Sequence, residues 1–226
     1  MNYKEKTCNN NTNRKEVLII KENNQVNELF HEISKHLLFD ENPSIYLKEI
    51  SRDSLFNEYP FSMINSLKET EQSKVHHKEG NVFNHTLLVV EEAAKVRDQA
   101  QNKSAFMWAA LLHDIGKPDT TKIRKGKITS YEHDKVGAKL AQEFLVYFEC
   151  EESLVSHVKN LVLYHMHILY VLKDLPFSNV KEMMKAVDIH ELALLGLCDR
   201  VGRFGGDRKA EEENIKIFLN KLNIKK

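Results

Sequence analysis

The stretch from Ala105 to Pro118, AFMWAALLHDIGKP, constrains the fold more than any other part of the sequence. Its apolar first half is rich in Ala and Leu and predicts a buried helix. Gly116 and Pro118 are typical of a helix end, so we place His113 and Asp114 at the end of that helix. Burying these two side chains unpaired would cost on the order of several kcal/mol. A bound metal ion would compensate for this cost, and a simple helix cap is the alternative.

Composition limits the class of protein. The chain has 226 residues, of which 42% are hydrophobic and 29% charged, as in an ordinary globular protein with one large or two small domains. Its formal net charge of zero gives no support to a dedicated nucleic-acid or anionic-membrane binder. Cys8, Cys150 and Cys198 lack paired spacing, which favours a reducing cytoplasm. We find no signal pattern and no stretch that could span a bilayer.

Helical periodicity runs through most of the chain, and only eight glycines and four prolines interrupt it. We therefore expect an all-α fold, a helical bundle with few hairpins. The pattern predicts a mobile lead-in at residues 1–24, a small helical N-terminal extension at 25–70 and the main helical domain at 71–226.

Several predicted helices carry a metal-ligand residue type on an apolar face or at its end. Beside the core helix they run from Phe83 to about Ala100, from a Ser130 cap to about Phe148, from Ser153 to Tyr170 and from His190 to Arg203. The ligand-type residues are His85, His113, Asp114, His133, His165 and Asp199. Each alone is more often a core or cap residue. Four imidazoles and two carboxylates in one bundle suit Fe, Mn, Zn or Ni better than Mg or Ca.

The order of His85, the pair His113-Asp114 and then Asp199 resembles the signature of the HD-domain metal-dependent phosphohydrolase superfamily. Flanking segments are similar to the HD region of bacterial tRNA nucleotidyltransferases, namely NVFNHTL, LLHDIGKP and ITSYEHDKVGA. The likeness covers about residues 70–205 and implies an HD-domain helical bundle with a divalent metal site. Those enzymes also carry a nucleotidyltransferase head, whose Gly-Ser loop and Asp-x-Asp pair are not found in the first 70 residues here. We therefore carry over hydrolysis and not nucleotide addition.

The resemblance also implies roles for individual residues. In the four-residue version of the site, one metal is held by His85, His113, Asp114 and Asp199. In binuclear members a second metal is held by two more histidines, here His133 and His165, with Asp114 as the bridge. The implied cofactor is one or two divalent transition metal ions (Fe, Mn, Zn or Ni), which lower the pKa of a bound water for attack on phosphorus.

Other residues carry weaker assignments. Lys117 typically faces the site in this family, so we assign it a catalytic contact with a phosphate oxygen; a solvated lysine is the alternative. Arg203 would either bind a substrate phosphate or form a surface ion pair. His76 and His77 lie in a polar loop and are expected to be exposed. The basic run between residues 122 and 127 is either a lid over the site or a solvated loop.

The sequence thus predicts a cytoplasmic metal-dependent phosphohydrolase, either a phosphatase or a phosphodiesterase. Its substrate would be a small phosphoester, a nucleotide or cyclic nucleotide, cleaved by metal-bound hydroxide. The alternatives are a nucleotide-sensing regulatory HD module with little turnover, a binuclear iron oxygenase and an RNA-processing protein. We expect no membrane partner; a nucleic-acid partner is disfavoured by the neutral charge but stays open as an alternative, and the terminal helices could support a homodimer.

Overall fold

A computed structural model describes residues 8–73 and 77–223, with side chains from residue 24 onward. This part of the chain is an all-α bundle with one small hairpin. Its α-helices are α1 (Cys8–Phe39), α2 (Pro43–Ile50), α3 (Phe61–Asn65), α4 (Val82–Val96), α5 (Lys103–Leu112), α6 (Lys117–Thr120), α7 (His133–Tyr147), α8 (Glu152–Tyr164), α9 (His167–Leu172), α10 (Val180–Ala186), α11 (Ile189–Val201) and α12 (Arg208–Lys221). Short 3₁₀ turns cover Ser54–Asn57, Ser66–Glu69 and Arg97–Gln99.

Helix α5 lies at the centre of the bundle, as the apolar sequence predicts. From Ala105 to Leu112 no residue is more than 1% exposed. The helix packs against α1, α4, α8 and α11, which surround it. Asn102 caps its start by accepting a hydrogen bond from the Ala105 N–H at 3.0 Å, and His113 stands at its end. A helix enclosed on all sides can only be apolar all round, which explains its unbroken run of Ala, Leu and aromatic residues.

The N-terminal extension packs on the same core as the main domain. Phe30 of α1 stacks on Trp108 of α5 and on Phe148, with ring centroids 4.8 and 4.1 Å apart. The Arg97 guanidinium donates to the carbonyl oxygen of Asp40 at 2.6 Å. Helix α1 begins at Cys8, inside the segment that the sequence predicts as a lead-in, and residues 1–7 lie outside the described part. Helix α1 therefore includes residues 8–24 as well.

The helix predicted from Ser153 to Tyr170 is divided into two helices by a break at His165 and Met166. Helix α8 ends at Tyr164, His165 forms its C-cap and α9 starts at His167. The His165 imidazole Nδ1 hydrogen-bonds the Val162 carbonyl at 2.6 Å, the carbonyl that the next N–H of a continued helix would use. A side chain thus competes with the backbone at this point, although the apolar periodicity continues.

Helix α7 starts at His133, after a left-handed Glu132 with φ 63°, and the predicted Ser130 cap is not formed. Before α7, strands β1 (Lys122–Arg124) and β2 (Lys127–Thr129) form an exposed antiparallel hairpin around Gly126, which has φ +73°. This hairpin carries the basic run. Among the described residues, no helix has both the length and the apolar character needed to cross a membrane.

Gly116 allows the turn after α5 to touch α7 directly. A Cβ atom at this position would lie 2.5 Å from the Gly137 nitrogen and 2.9 Å from its Cα, and it would overlap the His133 carbonyl oxygen. The contact is therefore backbone on backbone. It fixes the distance between the His113-Asp114 turn and the start of α7.

We expect Gly116→Ala to lower the free energy of unfolding by about 2 kcal/mol or more, because the added methyl group must displace backbone. Chemical denaturation followed by circular dichroism measures this change. Gly126→Asn is the control, since nothing lies within 4 Å of a Cβ there and Asn tolerates left-handed backbone. Equal stability of Gly116→Ala and the wild type would contradict the close contact.

Candidate metal centre

The structure brings all six predicted metal ligands together in the core. His85 comes from α4, the pair His113 and Asp114 from the turn after α5, His133 from the start of α7, His165 from the end of α8 and Asp199 from α11. None of the six is more than 9% exposed. Residues that are far apart in sequence meet here because α4, α7, α8 and α11 each bring one ligand to the turn at the end of α5.

The first half of the cluster faces Oδ2 of Asp114. His113 Nε2 lies 3.2 Å and His85 Nε2 3.8 Å from this oxygen. On its other side, His85 Nε2 is 3.0 Å from Oδ1 of Asp199. His113 Nε2 is buried and makes no hydrogen bond of acceptable geometry with its neighbours. A buried ring nitrogen without such a partner indicates that this half is shaped for another group.

The second half of the cluster faces the other oxygen of the same carboxylate. His133 Nε2 lies 3.4 Å and His165 Nε2 3.9 Å from Oδ1 of Asp114. The two imidazole nitrogens are 3.2 Å from each other. Asp114 thus stands between two sets of imidazoles and presents a different oxygen to each set.

The orientation of the imidazoles is set through their Nδ1 atoms. His113, His133 and His165 each bond the backbone carbonyl three residues earlier, at 2.9, 2.7 and 2.6 Å. His85 Nδ1 lies 3.2 Å from the Glu79 carboxylate. The carbonyl acceptors place the proton of His113, His133 and His165 on Nδ1 and leave the Nε2 lone pair toward the cluster, as in histidines that bind a metal.

Glu79 is a site residue that the sequence analysis missed. Its Oε1 contacts His85 Nδ1 and also lies 2.8 Å from His77 Nδ1, while its Oε2 accepts the Phe204 N–H at 3.2 Å. The carboxylate therefore ties the loop before α4 to the segment after α11. The one sequence signal was a carboxylate six residues before His85 in a loop that we treated as solvent-exposed.

Lys117 lies beside the shared carboxylate rather than in solvent. Its Nζ is 2.7 Å from Asp114 Oδ2 and donates to Gln72 Oε1 at 2.7 Å. Gln72 is buried, its Nε2 has no hydrogen-bond partner, and the sequence analysis did not identify it. Arg203 follows the end of α11, with Nη2 3.5 Å from Asp199 Oδ2. Several cationic or donor groups thus surround the first half of the cluster.

The two carboxylates are held ionised against the effect of burial. Burial raises the pKa of Asp114, but Lys117 and His113 hold that pKa well below its usual range. Burial likewise raises the pKa of Asp199. The charge of Arg203 and, to a smaller extent, the hydrogen bond with His85 outweigh this effect and hold the pKa well below its usual range. Burial raises the pKa of Glu79 too, and hydrogen bonds led by that from His85 lower it to about 2. All three are therefore anions at neutral pH.

Burial acts in the opposite direction on the imidazoles. It lowers the pKa of His165 to about 4, helped by the neighbouring charges of His133 and His113, and it lowers the pKa of His133. Burial also lowers the pKa of His85, but hydrogen bonds with Asp199 and Glu79 outweigh this effect and raise it. His133 and His165 are thus neutral near pH 7, the form in which an imidazole binds a metal.

These observations fit a metal centre. Ligand atoms of His85, His113 and Asp114 lie within 4.8 Å of one another, as do those of Asp114, His133 and His165. Nitrogen and carboxylate donors together are the set that transition metals prefer. The cluster can therefore hold a divalent metal ion, while the number of ions and the choice of metal belong to the proposal below.

The remaining predicted residues take different positions. His77 is half-buried next to Glu79, and burial lowers its pKa to about 4, so it is not a free loop residue. His76 lies outside the described residues. His167 is 7% exposed and lines a neighbouring cavity, not the cluster. The basic hairpin is exposed, and its action as a lid stays a prediction.

Helices converging on a buried His/Asp cluster define an all-α domain of the metal-binding type. The chain belongs to the HD domain family, whose family model matches residues 82–200, slightly more than half of the sequence. This range includes all six clustered residues. It also contains Lys117, whereas Glu79 and Gln72 lie before it.

Relatives of known name support the same family. The chain is 31% identical over 149 residues to a "Multifunctional CCA protein" of Actinobacillus pleuropneumoniae, an alignment that covers 66% of this chain and 35% of that protein. It is 27% identical over 187 residues to the protein of the same name from Pseudomonas fluorescens, covering 79% and 43%. The aligned part thus spans between a third and a half of these relatives.

We expect Glu79→Gln to weaken metal binding about 10- to 100-fold, because His85 would lose the carboxylate that holds its Nδ1–H. Competition with a chelator of known affinity measures this change without any assay of activity. Glu143→Gln on the exposed face of α7 is the matched control. Equal metal affinity of both variants would show that Glu79 does not orient His85.

Proposed function

We propose that this protein is a metal-dependent phosphohydrolase that cleaves a small phosphoester, most simply a nucleotide or cyclic nucleotide. The proposal rests above all on one observation, the Asp114 carboxylate placed between two sets of imidazole nitrogens with Lys117 Nζ at 2.7 Å. Membership in the HD domain family supports the same class of reaction.

The two halves of the cluster suggest two metal positions. One would use His85, His113, Asp114 and Asp199, and the other Asp114, His133 and His165. Divalent Fe, Mn, Zn or Ni would supply a water of lowered pKa and polarise a phosphoryl oxygen. The role of Asp114 is to hold the two positions at a fixed separation, since each of its oxygens serves one half.

The groups around the first half provide the partners for a phosphate. The Lys117 ammonium is placed to donate to a non-bridging phosphoryl oxygen and stabilise the charge that develops there. The unpartnered Gln72 Nε2 offers a second donor on the same side. Arg203 is 34% exposed at its side chain, so its guanidinium can reach a substrate at the rim while it stays paired with Asp199.

The relatives' name refers to CCA, and we do not assign CCA addition to this chain. The alignments cover less than half of each relative. What we carry over is the chemistry that the clustered residues can perform by themselves, namely hydrolysis. Phosphomonoesters and phosphodiesters are both within the reach of such a site.

We expect about two metal equivalents per chain, no bound metal in Asp114→Ala, and about one equivalent in His165→Ala. Asp114 serves both halves, whereas His165 serves only the second. Mass spectrometric elemental analysis of protein purified without chelators measures the content. His190→Ala is the matched control, since His190 is exposed and outside the cluster.

Circular dichroism must show that each variant is folded. Unchanged metal content in folded His165→Ala would contradict the second position. A folded Asp114→Ala chain with full turnover would overturn the hydrolase proposal as a whole.

We expect Lys117→Ala to lower kcat about 100-fold while the metal content stays the same, because the lost donor acts on charge that forms in the transition state. A panel of nucleotide monoesters and cyclic diesters provides the substrates. Lys139→Ala, on the exposed side of α7, controls for the loss of a lysine. A drop in metal content in place of kcat would mean that Lys117 only stabilises the Asp114 carboxylate.

The same panel separates the alternative functions. Tight nucleotide binding with negligible turnover would favour a regulatory module. Oxygen consumption by the iron-loaded protein, with no phosphate release, would favour the binuclear oxygenase. Lys117 beside the cluster favours phosphate chemistry over oxygen chemistry.

A further inference from the structure

A cavity of about 670 Å³ lies beside the second half of the cluster and takes no part in the site described so far. Its lining includes Glu132 and Asp134, the residues on either side of His133. It also includes Tyr164 and His167, which flank His165 in the turn between α8 and α9. The cavity is thus lined by sequence neighbours of His133 and His165, although neither histidine lines it.

Aromatic rings form much of the cavity wall. His167 packs edge-on against Tyr164 with ring centroids 4.8 Å apart, and it lies 5.3 Å from the Tyr170 ring. Tyr170 in turn meets Phe177 edge-on at 4.8 Å. Phe177 is 56% exposed, so its ring is accessible to a ligand in the cavity. A wall of this kind suits a flat heterocycle, since every nucleobase presents a π-face.

The cavity lining holds the acceptor carboxylates of Glu132 and Asp134 together with side chains that can donate, namely Lys135, Asn179 and tyrosine hydroxyls. Asp134 is only 4% exposed, and one of its oxygens accepts the Lys135 N–H at 3.0 Å. The oxygens of a carboxylate have room for further donors. His167 is 7% exposed, and its Nδ1 has no hydrogen-bond partner. A buried polar atom of this kind lacks a partner that a ligand can supply.

These features select among the nucleobases. Guanine presents two neighbouring donors, N1–H and the N2 amino group, on one edge, and a carboxylate can accept both side by side. Adenine would bring its N1 acceptor against the carboxylate, and the N3–H of uracil is flanked by two carbonyl oxygens. Cytosine offers only its N4 amino group next to an acceptor. The ring nitrogen of His167 is then available for the remaining polar atoms of the purine.

We propose that this cavity binds the base of a guanine nucleotide, with Asp134 accepting from N1–H and N2–H₂ and the aromatic wall stacking on the ring. The inference rests on the proposed function, because it treats the base as the organic part of a phosphoester held at the cluster. It adds a substrate class to that function and two specificity residues, Asp134 and Phe177.

The test is the binding of nucleosides to the full chain by isothermal titration calorimetry. Guanosine carries no phosphate, so its binding does not depend on hydrolysis. We expect guanosine to bind at least tenfold more tightly than adenosine, uridine or cytidine. Inosine, which lacks the N2 amino group, should bind about tenfold more weakly than guanosine.

Substitutions then assign the contact. Asp134→Asn keeps the shape of the side chain and should remove the difference between guanosine and inosine. Glu143→Gln makes the same chemical change on the exposed face of the same helix and should keep that difference. Phe177→Ala, at an exposed position, should weaken all nucleosides at least fivefold and serves if Asp134→Asn does not fold.

Equal binding of guanosine and adenosine would overturn the inference, as would identical behaviour of Asp134→Asn and Glu143→Gln. Guanosine selectivity without any phosphoester turnover would support the base site and count against the hydrolase. Phosphoester turnover with no preference among bases would support the hydrolase and count against the base site. The two proposals therefore fail separately.

Discussion

The buried carboxylate of Asp114 is the charge on which the arrangement of the bundle depends. It is 2% exposed, and an isolated ion at that depth would cost several kcal/mol, on the order expected for real protein interiors. Lys117 on one side and imidazoles on both sides offset this cost. Those groups come from different elements, so α5, α7 and α8 must end or begin near the same point. The close backbone contact at Gly116 is part of the same requirement, because it brings the start of α7 and its His133 to the carboxylate.

Much of this arrangement could be predicted from the sequence, because the six ligand-type residues stand on or beside strongly periodic helices. An amphipathic helix packs with its apolar face toward the core, so a histidine on that face is buried. Glu79 and Gln72 could not be found in this way. Both come from the polar segment before α4, where no periodicity indicates direction, and each reaches the site only because that loop folds back over it. Whether the clustered residues hold two metals is still a prediction.

Two of the site histidines act on the backbone as well as on the cluster. His113 and His165 each stand immediately after the last residue of a helix and bond the carbonyl three residues back. At His113 a glycine and a proline nearby also indicated the helix end. At His165 nothing in the composition did, and the apolar pattern runs on into α9, so a prediction from periodicity continued the helix to Tyr170. The hydrogen bond that orients the His165 imidazole toward the site also ends the helix. Hydrophobic periodicity in the sequence does not reveal such a side-chain to backbone bond.

The stacking of Phe30 on Trp108 has a practical consequence. Trp108 is the single tryptophan of the chain, and it lies in the central helix at the place where the N-terminal extension covers the core. Its fluorescence therefore reports directly on whether α1 is docked, with no label required. It also indicates where the chain should not be shortened for expression, since a piece beginning at residue 71 would present this indole, together with Phe144 and Phe148, to water. The segment that the family model matches, residues 82–200, is thus shorter than the unit that keeps these aromatic side chains buried.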